Sequence, residues 1–130
     1  TEAIAAAILG LCEPGDEVIA FQPTYDSYGA AVAMAGATLR PVTLRWPNLE
    51  LDVDALRAAV AHRTRLVLLN SPHNPTGTVL SRTDLDRLIE VAERHGIWLL
   101  VDETYRDMGR PEPLPIRSAS SSRLARAEAP

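Results

Sequence analysis

Four short apolar runs, each parted from the next by a stretch with helical spacing, constrain this chain more than any other feature. The runs are EVIAF (17–21), TLRPVTL (38–44), RLVLLN (65–70) and IWLLVD (97–102). Thr1 is placed to cap a first helix carrying Ile4, Ile8 and Leu11 on one face, and EPGDE (13–17) turns the chain into the first run. YDSYGAAVAMAG reads as a helix stopped by Gly36. Asp52 caps a short helix with Val53, Leu56 and Val60 inward. Ser81, with Asp84 in the capping-box position, starts a helix whose Leu85, Leu88, Ile89 and Ala92 recur at helical spacing until Gly96. Strands alternating with helices of this length predict βαβ units. The expected fold class is α/β, a mostly parallel sheet with helices on both faces. Pro41 cannot donate to a ladder and sends its strand to an edge. The order of the strands is not readable at this level.

After Met108 the character changes. Residues 109–130 are rich in Pro, Ser, Arg and Ala and show no sustained period. Such a stretch cannot bury enough apolar surface to offset its ordering entropy, so it is expected to be disordered. The division is a partial domain over 1–108 and a tail over 109–130. Thr1 opens directly in a helical pattern without an initiator Met, as the middle of something longer would.

Composition narrows the function classes. A net charge of −4 and no basic stretch argue against nucleic acid as partner. No apolar run approaches the roughly 20 residues that span a bilayer, so no membrane partner is expected. The single cysteine, Cys12, allows no internal disulfide and fits a reducing, cytoplasmic setting. No His/Cys spacing suggests a metal site.

In a parallel sheet all strand carboxyl ends share one side, where open α/β sheets bind ligands. Three polar clusters fall there: Gln22 to Tyr25, the turn Asn70 to Gly77, and Asp102 to Tyr105. Thr1 and Glu2 open a helix, whose outward N–H groups suit an anion. An anion site, an aromatic ring, an amide and a carboxylate can thus converge on one crevice. Each piece has a plainer reading. Asn74 in N-P-T-G is also ordinary turn chemistry, Tyr25 and Tyr28 at helix spacing are also packing residues, and Asp102 can simply cap the next segment. His73 reads as a turn residue, and Glu103 as facing helix or solvent.

SPHNPTG, followed some thirty residues later by an apolar strand and DETY, resembles the class I/II aminotransferases of pyridoxal-phosphate fold type I. PGDEVIAFQPTYDSY and HRTRLVLLN match the same family in the right order, over residues 1 to about 108. PTYDSY and SPHNPTG look most like the subgroup acting on methionine, kynurenine or N-succinyldiaminopimelate. The resemblance implies part of the family's large domain, with pyridoxal 5′-phosphate as cofactor. It further implies amino acid and 2-oxo acid substrates, and a homodimer. It gives Asp102 the cofactor's pyridine nitrogen, Asn74 and Tyr105 its phenolic oxygen, Tyr25 the ring face and Thr1 the phosphate. It also implies a cis Asn74–Pro75 bond, with Gln22–Pro23 a second candidate.

One departure limits the activity expected. The family bonds its cofactor aldehyde through a Schiff-base lysine, which also shuttles the proton. All 13 basic residues here are arginine. No catalytic residue is therefore assigned, and the chain is expected to be inactive alone. The lysine-free tail is read as truncated or frame-disrupted, no longer family sequence after about Met108. Two other classes compete. IWLLVDE resembles the Walker B strand of P-loop ATPases, but the G-x-x-x-x-G-K-[ST] loop it requires needs a lysine. The third reading is a non-catalytic remnant or binding module.

Overall fold

The computed structural model describes residues 1–108 and, by its backbone, the segment 124–127. Nine elements follow in order: α1 (Glu2–Leu11), β1 (Glu17–Gln22), α2 (Asp26–Met34), β2 (Thr38–Thr43), α3 (Val53–Ala59), β3 (Thr64–Asn70), α4 (Arg82–His95), β4 (Trp98–Asp102) and β5 (Leu124–Ala127). The strands form one sheet of order β2-β1-β3-β4-β5. Every pairing is parallel. β2, with Pro41, lies at an edge as expected.

The helices divide by face because side chains alternate along each strand. Val18, Ala20, Leu66, Leu68 and Leu100 point to one side and pack with Ile4, Ile8, Tyr28 and Val32 of α1 and α2. Ile19, Phe21, Val67, Leu69, Leu99 and Val101 point to the other and pack with Leu56, Leu85, Leu88 and Val91 of α3 and α4. Strands buried on both faces need no polar positions, hence the unbroken LVLL and WLLV runs. The order reverses at β1, so the chain leaving β1 crosses one face and the chain leaving β3 crosses the other.

Local chemistry fixes the helix ends. Asp52 accepts from the Ala55 amide at 3.0 Å. Ser81 accepts from the Asp84 amide at 3.1 Å and donates to the Asp84 carboxylate at 2.6 Å. Gly96 closes α4 in the left-handed region at φ 65°. Gly36, at φ 69°, lies so close to Pro14 that a Cβ would meet it at 3.2 Å, which ties the α2–β2 turn to the α1–β1 turn. Thr1 occupies the N-cap position of α1, but its side chain makes no capping bond. Cys12 is buried beside α1, and burial pushes its thiol up to about 11.

The tail departs from expectation in one place. Leu124–Ala127 pairs with Leu99–Asp102 of β4, within a segment expected to be disordered. The reason is a backbone one: an uncovered β4 edge presents a row of unpaired donors and acceptors that any extended segment can satisfy. Residues 109–123 and 128–130 lie outside the described residues. Among the described residues no helix is long and apolar enough to cross a membrane.

Leu56 is fully buried among the α3/α4 layer, so Leu56→Ala should cost about 2–5 kcal/mol in urea unfolding. Ser81→Ala, which removes only a cap, should cost about 1 kcal/mol in the same measurement.

Candidate functional site

The ends of β3 and β4 are joined in register, with Asn70 opposite Asp102. Asn70 is only 3% exposed. Its amide nitrogen donates to the Asp102 carbonyl at 3.0 Å, and its amide oxygen accepts from the Asn74 backbone N–H at 2.6 Å. The Ser71 amide donates to the same Asp102 carbonyl at 3.1 Å. This bonding bends the chain out of β3 and presents Asn74. Gly77 (φ 73°) returns it, its N–H donating to the His73 carbonyl at 2.7 Å. The Asn74–Pro75 and Gln22–Pro23 bonds are both cis, as are Trp46–Pro47 and Ser71–Pro72.

Asp102, 7% exposed, follows Leu100 by two residues and so faces the α1/α2 side. Three donors reach its carboxylate. The Tyr28 hydroxyl donates to Oδ2 at 2.7 Å. The Thr104 hydroxyl donates to Oδ1 at 2.6 Å, and the Thr104 amide donates to the same oxygen at 3.0 Å. No ion pair to Asp102 forms among the described residues. Burial, then the bond to Asp102, drives the Tyr28 phenol far above its ordinary value, so it remains a donor at any working pH.

The other expected residues gather around this carboxylate. Asn74 donates through its side-chain nitrogen to the Tyr105 hydroxyl at 3.3 Å, so these two polar ends meet. Tyr25 caps α2 and is 38% exposed. Its ring meets that of Tyr28 edge to face, with centroids 5.7 Å apart and planes at 86°. Thr1 lies one layer away: α1 packs against the sheet and runs back from the start of β1, which carries its amino end toward the carboxyl edge. No bond joins Thr1 to the other four.

Three residues of this cluster have no site role in the sequence reading. Asn70 reads as a strand end, Thr104 only as a member of the polar cluster after β4, and Tyr28 as packing. Tyr28 does pack, yet its hydroxyl is spent on Asp102. The parity of Leu100 and Asp102 was the available signal for it, once α2 is known to cover that face. The plainer reading of Asp102 also holds, since Thr104 closes an Asx turn on it. Glu103 is buried, not solvent-facing. His73 is buried too, its Nδ1 2.7 Å from the Thr76 hydroxyl, and burial lowers its pKa. A cavity of about 690 Å3 opens on the α3/α4 side, lined by Phe21, Leu44, Leu51, Asn70 and His73 among others. None of Thr1, Tyr25, Asn74, Asp102 and Tyr105 lines it. No group of three acidic, His or Cys side chains placed to hold a metal occurs among the described residues.

The loop of His73 makes a pH prediction. Its pKa is lower folded than unfolded, so the unfolded chain binds the proton first as pH falls. Its contribution is intact above about pH 6.5, the unfolded value, and is lost progressively below it. Urea midpoints should therefore drop on acidification from pH 7.5 to 5.5, and His73→Asn should flatten that slope. Asn70→Ala should cost about 1–3 kcal/mol, because it strands buried partners.

A chain with this sheet order and this cluster at its carboxyl edge has many relatives. A probable N-succinyldiaminopimelate aminotransferase of Mycobacterium tuberculosis is 51% identical over 110 residues, covering 83% of this chain and 28% of that protein. The methionine aminotransferase of Escherichia coli is 43% identical over 105 residues, covering 81% of this chain and 27% of that protein. The solved structure of N-succinyldiaminopimelate aminotransferase from Mycobacterium tuberculosis superposes with a TM-score of 0.88 at 46% identity, covering 98% of this chain and 35% of that one. The chain thus spans about a quarter to a third of the length of these relatives. The family match runs over residues 1–128, past the Met108 boundary expected from sequence, so the tail after Met108 is also family sequence. The chain belongs to the aminotransferase class I and II family, whose members depend on pyridoxal phosphate.

Proposed function

We propose that this chain supplies the cofactor-facing wall of an aminotransferase, and that alone it transfers no amino group. One observation carries the first half: a buried carboxylate at the carboxyl edge, with three of its acceptor positions filled and, among the described residues, no ion pair to it. A carboxylate oxygen pair offers about four acceptor positions, so one remains for an incoming N–H. That open acceptor fits the ring N–H of pyridoxal 5′-phosphate. The cofactor supplies an electron sink for bond-breaking at the Cα of an amino acid.

Each residue then has a task. Asp102 would hold the proton on the ring nitrogen. Asn74 and Tyr105, already in contact with each other, would donate to the phenolic oxygen. Tyr25 offers an aromatic face for stacking, and Thr1 at its helix end would take the phosphate. The relatives named for N-succinyldiaminopimelate and methionine support amino acid and 2-oxo acid substrates. A homodimer is the assembly that the family resemblance implies. The second half of the proposal rests on the absence of any lysine from the sequence. No side-chain amine is present to bond the cofactor aldehyde or to carry a proton from Cα.

An absorbance titration of the chain with pyridoxal 5′-phosphate tests this reading. Saturable binding is expected, weakened roughly tenfold or more by Asp102→Ala, which deletes a hydrogen bond to a charged group. Borohydride treatment should leave every side chain unmodified in peptide mass maps, and no 2-oxo acid should form from an added amino acid. Binding indifferent to Asp102→Ala, or amino transfer by the chain alone, would sink it.

A further inference from the structure

We propose that Tyr28 and Thr104 are positioning residues that orient the Asp102 carboxylate, leaving one acceptor position, on Oδ2, for the cofactor's ring nitrogen. The inference rests on the functional reading above and goes beyond it, because it fixes which oxygen binds and what holds it.

The distances divide the two oxygens. Oδ1 receives the Thr104 hydroxyl at 2.6 Å and the Thr104 amide at 3.0 Å, which fills both of its positions. Among the described residues, Oδ2 receives only the Tyr28 hydroxyl, at 2.7 Å, which leaves one position on it. A carboxylate on a single-bonded stem can rotate about that stem. Donors anchored on two different elements, the turn after β4 and the helix α2, stop the rotation. Both anchors are rigid: Tyr28 is buried between α2 and the sheet, and the Thr104 hydroxyl and amide grip one oxygen together.

Tyr28 has a second contact that matters to the same ligand. Its ring and that of Tyr25 pack edge to face, with centroids 5.7 Å apart. The residue that orients the carboxylate therefore also backs the aromatic wall on which the ring would stack. A ligand pressed against Tyr25 and bonded to Oδ2 is located by two groups that share one support. A preorganised acceptor of this kind loses less freedom when the ligand arrives than a rotating one would.

The test separates orientation from simple folding. The chain is titrated with pyridoxal 5′-phosphate and with its 1-deaza analogue, in which C–H replaces the ring nitrogen. The variants are Tyr28→Phe, which keeps the ring and its contact with Tyr25, Thr104→Val, and Thr104→Ser, which keeps the hydroxyl. The expected result is a roughly three- to tenfold loss of pyridoxal phosphate affinity in Tyr28→Phe and Thr104→Val, the scale of one weakened charge-assisted bond. The 1-deaza analogue should bind all variants alike, and Thr104→Ser should restore binding of the parent. Equal losses for both ligands would reduce Tyr28 and Thr104 to structural supports and overturn the proposal while leaving the cofactor reading intact. Unchanged binding in Tyr28→Phe and Thr104→Val would overturn it as well. Failure of the unsubstituted chain to bind either ligand would remove the cofactor reading, and the proposal with it.

Discussion

The side chain of Asn70 donates to the Asp102 carbonyl and accepts from the Asn74 amide, so one buried amide joins the ends of two strands to the turn between them. Asn74 is presented where it is because its own N–H is held from below. Asp102 keeps its register because its carbonyl receives both Asn70 and Ser71. With the carbonyl so fixed, the carboxylate can point only toward the α1/α2 face, where the Tyr28 hydroxyl meets it. Loss of the Asn70 amide would therefore loosen the turn and the carboxylate together.

The sheet order explains why the groups come from so many parts of the chain. The chain leaves β1 onto one face and β3 onto the other, and the two departures open a gap at the carboxyl edge. α2 starts at one side of that gap with Tyr25 and Tyr28. The 70–77 turn stands at the other side, and β4, next to β3, delivers Asp102 to the Tyr28 hydroxyl. Residues 77 positions apart, Tyr25 and Asp102, end up separated by a single tyrosine ring.

Much of this was legible in the sequence, for local reasons. Pro41 marked an edge strand, Ser81 and Asp84 marked a helix start, and Gly36 and Gly96 marked helix ends, because each acts through its own backbone within a few residues. Asp102, Asn74 and Tyr105 were legible as polar residues ending apolar strands. The roles of Tyr28 and Thr104 were not, since they depend on which helix covers which face. Strand order decides that, and nothing local encodes strand order. β5 escaped notice for the opposite reason: an edge can be completed by backbone alone, so Leu124–Ala127 needed no apolar period to pair.

Cys12 lies in the same layer as Ile4, Ile8 and Tyr28, with a thiol that burial holds in its unreactive protonated form. As the only sulfhydryl in the sequence, it makes the chain its own clock. Burial slows attack by a thiol-reactive dye until the α1/α2 layer opens. Its labelling rate then reports how often the support behind Tyr28 and Asp102 comes apart, in a native chain with no probe added by design.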